Sequence, residues 1–597
     1  MATSASPAIV VKEIDLTGVV PSVTSSTGAF VGNFSWGPVQ ERTLVADESG
    51  LVSVFGSPDT SNNVDFLSAA SFLKYSNSLY VVREVGDSAV NSSSSYKLEE
   101  AAAAAGEQLL VKNLTHFDTL SFGTDSYNAT GSFVAKYAGT LGDALEVSFC
   151  PADSVDTAFN SWDYADQFDA APGTSPYLEG VNSNSKRDEV HVAVVDRTGA
   201  ISGTKGTVLE TFPHLSVLKT AVTTDGAPNF ISDVLNTKSA YIYNPYFGDD
   251  SAFGSAHDNM AAKWDVTPTV DSAEADYTAD TMTTWTNDKS SIVLGGGHDG
   301  AAIGTSEYAT GFDLFEDVET VQVDMLIAPM HKNKTDGNTV VNDLVAIAKG
   351  RKDCVVTTSP DKAGITGLTP VTATTSFASG CTRSSYLVVD NNFLKVYDKY
   401  NDKYVNIPAN SSTAGLFAGT DAVAAPWFSP AGQRRGNYLG VTDIVSNPNK
   451  TQRDTLYKAG INPIANIPGA GVILFGDKTF ESRPSAFDRI NVRRLFLVLE
   501  RAIAAAAKNV MFEFNDEFTR AEFTNIVEPL LREVQGRRGI TDFRVVCDET
   551  NNTPAVIDRN EFIASIFIKP ARSINFVTLN FVAVRTGVEF EEVVGTV

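Results

Sequence analysis

The sequence predicts a multidomain protein that mixes α/β and α+β architecture. Three observations carry that expectation. Its 597 residues exceed what one hydrophobic core covers, and length alone suggests about three to five domains. Buried-type strands at Val321–Pro329 and Asp353–Thr358 flank a helical stretch, Asn338–Lys349, an alternation that implies parallel strands joined by a crossover helix. The last stretch, Ser485–Val597, alternates helix, strand, helix and strand before ending in further strand-like segments.

The elements follow in chain order. Pro7–Leu16 carries near-alternating apolar residues and reads as an extended arm or a first edge strand. Thr27–Pro38 is a Val/Phe strand that stops at a Trp-Gly-Pro turn. Leu51–Gly56 and Asn77–Glu84 bracket a helix at Asp65–Tyr75. Composition shifts near residue 92, and the following stretch to about 190 is strand-rich, with Gly, Ser and Thr turns around Phe133–Phe149; polar insertions such as Asp153–Lys186 read as surface loops. His191–Asp196 is a buried-type strand, Asn236–Asn244 another, and Asp265–Lys289 an acidic, Thr-rich loop or hairpin. After the amphipathic Gly311–Glu319 and the strand–helix–strand unit, Ser385–Asp390 and Phe393–Tyr397 look like a strand pair around Asn391-Asn392.

In the C-terminal block, a helix opening at Ser485 and running to Lys508 places Val492, Leu495, Phe496, Leu499, Ile503 and Ala506 on one face. Arg494, Arg501 and Lys508, spaced by sevens, form a basic stripe. Val510–Phe514 reads as a short strand, and Thr519-Arg-Ala-Glu522 as the capping box of a second helix. Pro529 is expected to bend or split that helix, and Gly536 and Gly539 to end it around Arg537 and Arg538. Phe543–Cys547, Glu561–Ile568 and Ile574–Arg585 are Val-, Ile- and Phe-rich strands. A last alternating segment, Gly587–Val594, is either tucked into its own sheet or offered to a neighbour.

Composition excludes several classes. Asp and Glu outnumber Lys and Arg by 72 to 46, a net charge of −26, the opposite of what phosphate neutralisation requires. Cys150, Cys354, Cys381 and Cys547 are far apart and match no metal or disulfide framework. The first residues lack the basic-then-apolar pattern of a secretion signal, and no apolar run approaches membrane length. A soluble protein made in a reducing cytoplasm is expected.

Tempting chemistry fails on inspection. Gly471–Thr479 is one residue from a phosphate loop, but Asp477 stands where the lysine must follow the second glycine. Six scattered histidines show no zinc spacing, and His298-Asp299 sits in a Gly-rich turn. No Gly-x-Ser-x-Gly nucleophile motif occurs. The sequence supports no cofactor, metal or catalytic residue.

The run Asp488–Ile503 followed by Phe512-Glu-Phe-Asn-Asp516 resembles the C-terminal domain of contractile bacteriophage (myovirus, T-even-like) tail sheath proteins. Further landmarks come in that family's order: Trp36-Gly-Pro38, Phe55-Gly56, Tyr80-Val-Val-Arg83, Gly139-Thr-Leu-Gly-Asp143, Gly206–Ser216, the Ala425–Gly436 loop, Gly460–Ile464 and Pro468–Asp477. Residues 92–190 and 225–290 map onto it least well.

The resemblance implies an inner core built from both ends of the chain, with a subtilisin-like α/β middle domain, a C-terminal α+β domain and an inserted β-rich outer domain. The expected division is an N-terminal arm (1–22), part of the core (23–91), the insertion (92–190), the middle domain (191–478), the C-terminal domain (479–585) and a C-terminal arm (586–597). It implies a structural, non-enzymatic subunit that polymerises with copies of itself around an inner tail tube, as a helical array of stacked hexameric rings. Baseplate and tail terminator proteins would be further partners, with assembly in the host cytoplasm and residence in the virion. Ile9, Val10, Val11 and Ile14 of one arm, and Phe581, Val582, Val584, Val588, Phe590 and Val593 of the other, would add edges to neighbouring sheets. Arg494, Arg501, Lys508, Arg532, Arg537 and Arg538 are candidates to face an acidic tube, or else form a solvated face paired to Glu500 or Glu533. A sheath from a non-phage contractile injection system is the alternative. A degenerate subtilisin-like hydrolase fits less well, and a surface-layer protein lacks the secretion signal it would need.

Overall fold

The computed structural model describes residues 26–94, 110–120, 133–152, 157–181, 188–218, 220–244 and 290–575. Both expected arms, and with them Ile9 through Ile14 and Phe581 through Val593, lie outside the described residues, as does the loop expected at 265–289. The chain divides into two compact units. The described part of the larger one comprises residues within 26–424 and 430–488, and that of the smaller one 425–429 and 489–575.

The large unit is organised on a six-stranded sheet in the order Leu387–Val389, Val355–Thr358, Met325–Ile327, Gly28–Gly32, Leu79–Arg83, Thr43–Val45. The first five run parallel and the last is antiparallel. Their apolar runs are continuous because helices cover such strands; every residue of Gly28–Gly32 is buried. The expected crossover is present, as the Lys334–Arg351 helix joins two adjacent parallel strands and packs Val341, Leu344 and Val345 onto Leu326, Val356 and Leu387. Gly28 lets the Asn63–Leu73 helix come close, since a Cβ there would lie 2.8 Å from the Phe72 ring.

A second, seven-stranded antiparallel sheet runs in the order Thr207–Ser216, Glu189–Asp196, Leu145–Pro151, Ser290–Gly295, Asn91–Ser94, Val134–Ala138, Ile242–Tyr243. The expected boundary at 190/191 therefore cuts a strand: Glu189–Asp196 pairs with Leu145–Pro151 across seven positions, and the sheet is completed by Ser290–Gly295. Arg83, fully buried, ties the two sheets, donating to the carbonyls of Phe34, Gly37 and Ala138 at 2.7–2.9 Å.

Three local expectations change. Leu51–Phe55 falls within the Glu48–Phe55 helix, which Gly56 ends at φ 75° and Asp47 caps by accepting from the Gly50 amide. Asn236–Asn244 splits into the end of an Ile231–Lys238 helix and a two-residue strand; the Asn236 side chain bonds both backbone groups of Asn244 and stands in for a strand partner. Leu387–Val389 and Phe393–Asp398 do not pair. The chain leaves the parallel sheet at Asn391-Asn392, whose buried amides accept from the Ile464 and Phe393 backbones, and Phe393–Asp398 joins Lys403–Pro408 and Asp443–Ile444 in a separate sheet. Gly471–Leu474, the near-phosphate-loop segment, is a hairpin strand against Ile464–Ile467.

Candidate assembly surface of the C-terminal unit

In the small unit, a helix over Ile490–Ala507 buries Leu495, Leu499, Ala502 and Ala506. It starts later than expected, because Ser485–Asp488 is irregular. The second helix runs Glu517–Gly536 straight through Pro529. Its cap is Asp516, whose carboxylate accepts from the Thr519 amide at 2.8 Å, so the expected box beginning at Thr519 lies one turn inside the helix. An anion on the first free amides also suits the helix dipole. Arg538, in the left-handed region at φ 67°, turns the chain into the following strand. At Gly539 a Cβ would meet Val534 at 2.6 Å and Trp427 at 3.0 Å.

The expected strand at Val510–Phe514 is absent; these residues form turns, with Phe512 at φ 72°. What remains is a two-stranded antiparallel sheet, Ile540–Val546 with Ser565–Pro570. Phe543, Val545, Ile566 and Ile568 point at the helices and pack on Leu495, Leu499, Phe523, Val527 and Leu531. All four stay only partly buried, which is unusual for inward positions of a sheet. Neither outer edge of this sheet has a strand partner among the described residues, and two strands alone are marginal.

The six basic candidates do not share one exposed face. Arg494 is 4% exposed, Arg501 is half-buried and Lys508 is exposed on the turn after the helix. Arg532 and Arg537 are exposed and pair with Glu528 (3.1 Å) and Glu533 (3.5 Å) one helical turn away. Arg537 also lies over the Trp427 ring at 5.1 Å. Residues 489–575 carry 13 Lys and Arg against 12 Asp and Glu, leaving 33 against 60, or −27, for the rest of the chain. The small unit is thus nearly neutral within a strongly acidic protein, a property that averaging over the sequence hides. Phe512, Phe514, Phe518 and Phe567 are exposed; a strand over Val510–Phe514 would hide the first two, and apolar periodicity alone does not mark the other two as surface residues.

The large unit holds the groups that could suggest chemistry. His331 is buried, stacks on Phe377 and meets the Thr358 hydroxyl at 3.1 Å; burial holds its pKa down at about 4. The Ser359 hydroxyl donates to Asp390 at 2.8 Å and accepts from the Asn410 amide, so no histidine is interposed to activate it. His214 meets Glu189 at 2.7 Å, while its backbone amide donates to His191, whose ring stacks on Phe168. His298 Nδ1 accepts from the Gly300 amide within a turn. These are structural contacts that close turns and fill core.

The chain was compared with known proteins. Residues 301–480 match the phage tail sheath protein central domain, and residues 482–583 the phage tail sheath C-terminal domain. The tail sheath protein of Vibrio phage KVP40 is 31% identical over 674 residues, spanning 99% of this chain and all of the relative. That of Enterobacteria phage T4 is 31% identical over 677 residues, spanning 99% of each chain. The crystal structure of a sheath tail protein from Listeria innocua shares the fold, with a TM-score of 0.50 at 12% identity, covering 92% of this chain and 96% of that one. With mixed α/β architecture in several sheets and near full-length similarity to these relatives, the chain belongs to the phage tail sheath protein family.

Proposed function

We propose that this chain, a structural subunit of a contractile phage tail sheath, polymerises helically around an inner tube by lending strands to its neighbours. The observation behind this is the two-stranded sheet of the small unit, whose edges have no strand partner among the described residues and whose inward side chains are left half-covered. A strand added at either edge supplies main-chain hydrogen bonds and buries those side chains. Residues 8–16 and 579–594 are the donors, through Ile9, Val10, Val11 and Ile14 and through Phe581, Val582, Val584, Val588, Phe590 and Val593. Head-to-tail exchange does not close on itself, so the array extends.

The parallel sheet of the large unit is the subtilisin-like scaffold, used without catalysis. Contraction is a cooperative change of packing between subunits that drives the tube through the host envelope, with no cofactor or hydrolysis. The tube lies against the basic residues of the small unit, foremost the exposed Lys508, Arg532, Arg537 and Arg538, with Arg501 and the buried Arg494 holding the helix behind them. Baseplate and terminator proteins bound the array, which is assembled in the host cytoplasm.

Negative-stain electron microscopy across a concentration series tests this. The full chain is expected to form hollow helical tubes, wider than a tail tube. Deleting residues 1–16 or 586–597 should leave folded monomers only. Arm-deleted protein that still forms tubes would sink the strand-exchange reading. Reversing the charge of Lys508 and Arg538 should abolish assembly on tubes while the monomer melts as before.

A further inference from the structure

Within eight residues of the small unit, four large apolar side chains face solvent: Met511 (58% exposed), Phe512 (101%), Phe514 (83%) and Phe518 (72%). Single exposed apolar residues need no explanation, whereas a contiguous group marks a contact. The segment is held in shape. Asp516 caps the helix behind it, the Asn515 side-chain amide donates to the Glu561 carbonyl at 2.8 Å, and Arg520 donates to the Asn515 carboxamide at 2.9 Å. Phe512 sits at φ 72°, a backbone conformation that a bulky side chain rarely adopts and that surrounding structure must impose. The same stretch carries Glu513, Asp516 and Glu517, all exposed. It is a rigid knob, aromatic and acidic.

The same unit carries the complementary surface. On the solvent side of the two-stranded sheet, Arg544 stands directly opposite Phe567, with Lys569 two residues further along. Phe567 is 60% exposed. The Lys569 ammonium pairs with the exposed Asp542 carboxylate at 3.1 Å, an interaction of little strength. This face is aromatic and basic. Both surfaces are exposed in one chain, so they are not satisfying each other within it. An acidic tube would repel the knob's three carboxylates, and the other residues of the chain, at −27, would do the same.

We propose that the Met511–Phe518 knob of one copy seats on the Arg544, Phe567 and Lys569 face of a second copy, as a contact between subunits distinct from strand exchange. The proposal rests on the sheath reading. Each aromatic ring buries on the order of 150 Å², so the knob is a hot spot inside a larger contact rather than a whole interface, which needs roughly 1,200 Å² or more. Ring against ring supplies area, and Glu513 and Glu517 facing Arg544 and Lys569 set orientation.

The test is polymerisation of the full chain, with and without tail tubes, followed by sedimentation and electron microscopy. Phe512→Ser with Phe514→Ser should leave the thermal melt of the monomer unchanged and raise the threshold concentration for polymer at least tenfold. Glu513→Lys with Glu517→Lys, or Arg544→Glu with Lys569→Glu, should each raise it as well. Combining the two charge swaps should bring the threshold back toward that of the parent, which only direct pairing between copies produces. Serine variants that polymerise at the parent threshold would overturn the contact, as would combined swaps no better than either half. Parent protein that never polymerises, even on tubes, would instead overturn the sheath reading and this contact with it.

Discussion

The two units solve the same problem, covering apolar surface, in opposite ways. The large unit finishes its own cores: inward residues of its two main sheets, such as Val31, Leu326, Val147 and Val192, are at 0% exposure. It does so completely enough to bury charge, with Asp65, Glu84 and Asp390 all under 10% exposed. The small unit leaves Phe543, Val545, Ile566 and Ile568 half-covered, carries four bare apolar side chains on one eight-residue stretch, Met511–Phe518, and has nearly balanced charge. One unit closes its own cores; the other, on the strand-exchange proposal, is a connector whose core neighbours would complete.

The sharpest way to break this comparison is in the finished core. Phe72, fully buried against Gly28, should destabilise the large unit by about 3–5 kcal/mol when truncated to Ala, read as a lower denaturant midpoint of the monomer. A loss below about 1 kcal/mol would mean that this core is not closed.

The buried carboxylates give a pH signature. Burial raises Asp65 from 3.8 to about 6, Glu84 from 4.5 to about 7 and Asp390 from 3.8 to about 7. The folded chain therefore keeps protons that the unfolded chain has released, and its stability falls as pH rises through that window. His191 and His331, held at about 4 instead of 6.5 by burial, act oppositely and cost stability as pH falls below 6.5. Between pH 6.5 and 8 the histidine contribution fades while Glu84 and Asp390 titrate, so the carboxylates dominate and the melting temperature should decline across that interval. Asp390→Asn should flatten the decline. A melting temperature that rises from pH 6.5 to 8 would refute the assignment.

How much of this was legible in the sequence follows from how local each signal is. The parallel unit around Lys334–Arg351 was readable because its apolar runs and helical period lie within about 40 residues. So were both C-terminal helices and the strands at Phe543 and Ser565. The extent of the second sheet was not, because Asn91–Ser94 pairs with Ser290–Gly295, about 200 residues away, and nothing in Asn91-Ser-Ser-Ser94 looks like a strand. The break at Asn391-Asn392 depends on side chains that bond distant backbone, which periodicity does not register. Of the basic candidates, the seven-residue spacing of Arg494, Arg501 and Lys508 suggested one helical stripe, but the helix ends at Ala507 and Lys508 falls on the turn after it. The spacing could not say that Arg494 would be buried and Lys508 exposed, since that depends on what packs over each turn.

The smallest effects discriminate best between a body and a connector. Phe543→Ala removes a half-buried ring from the sheet of the small unit, and the monomer should lose only about 1 kcal/mol, well short of the loss for a fully buried Phe. The same substitution should weaken polymer formation several-fold if, as proposed, a neighbour's strand completes the cover of this ring. Smaller still is Arg532→Gln, which breaks an exposed pair with Glu528 one turn away. Pairs of this kind contribute about 0.3–0.5 kcal/mol, so the monomer midpoint should hardly move. If Arg532 faces the tube, assembly on tubes should weaken while tube-free polymer forms at the parent threshold. Equal weakening of both would place Arg532 at a contact between subunits, because a residue whose partner is the tube has nothing to lose when the tube is absent.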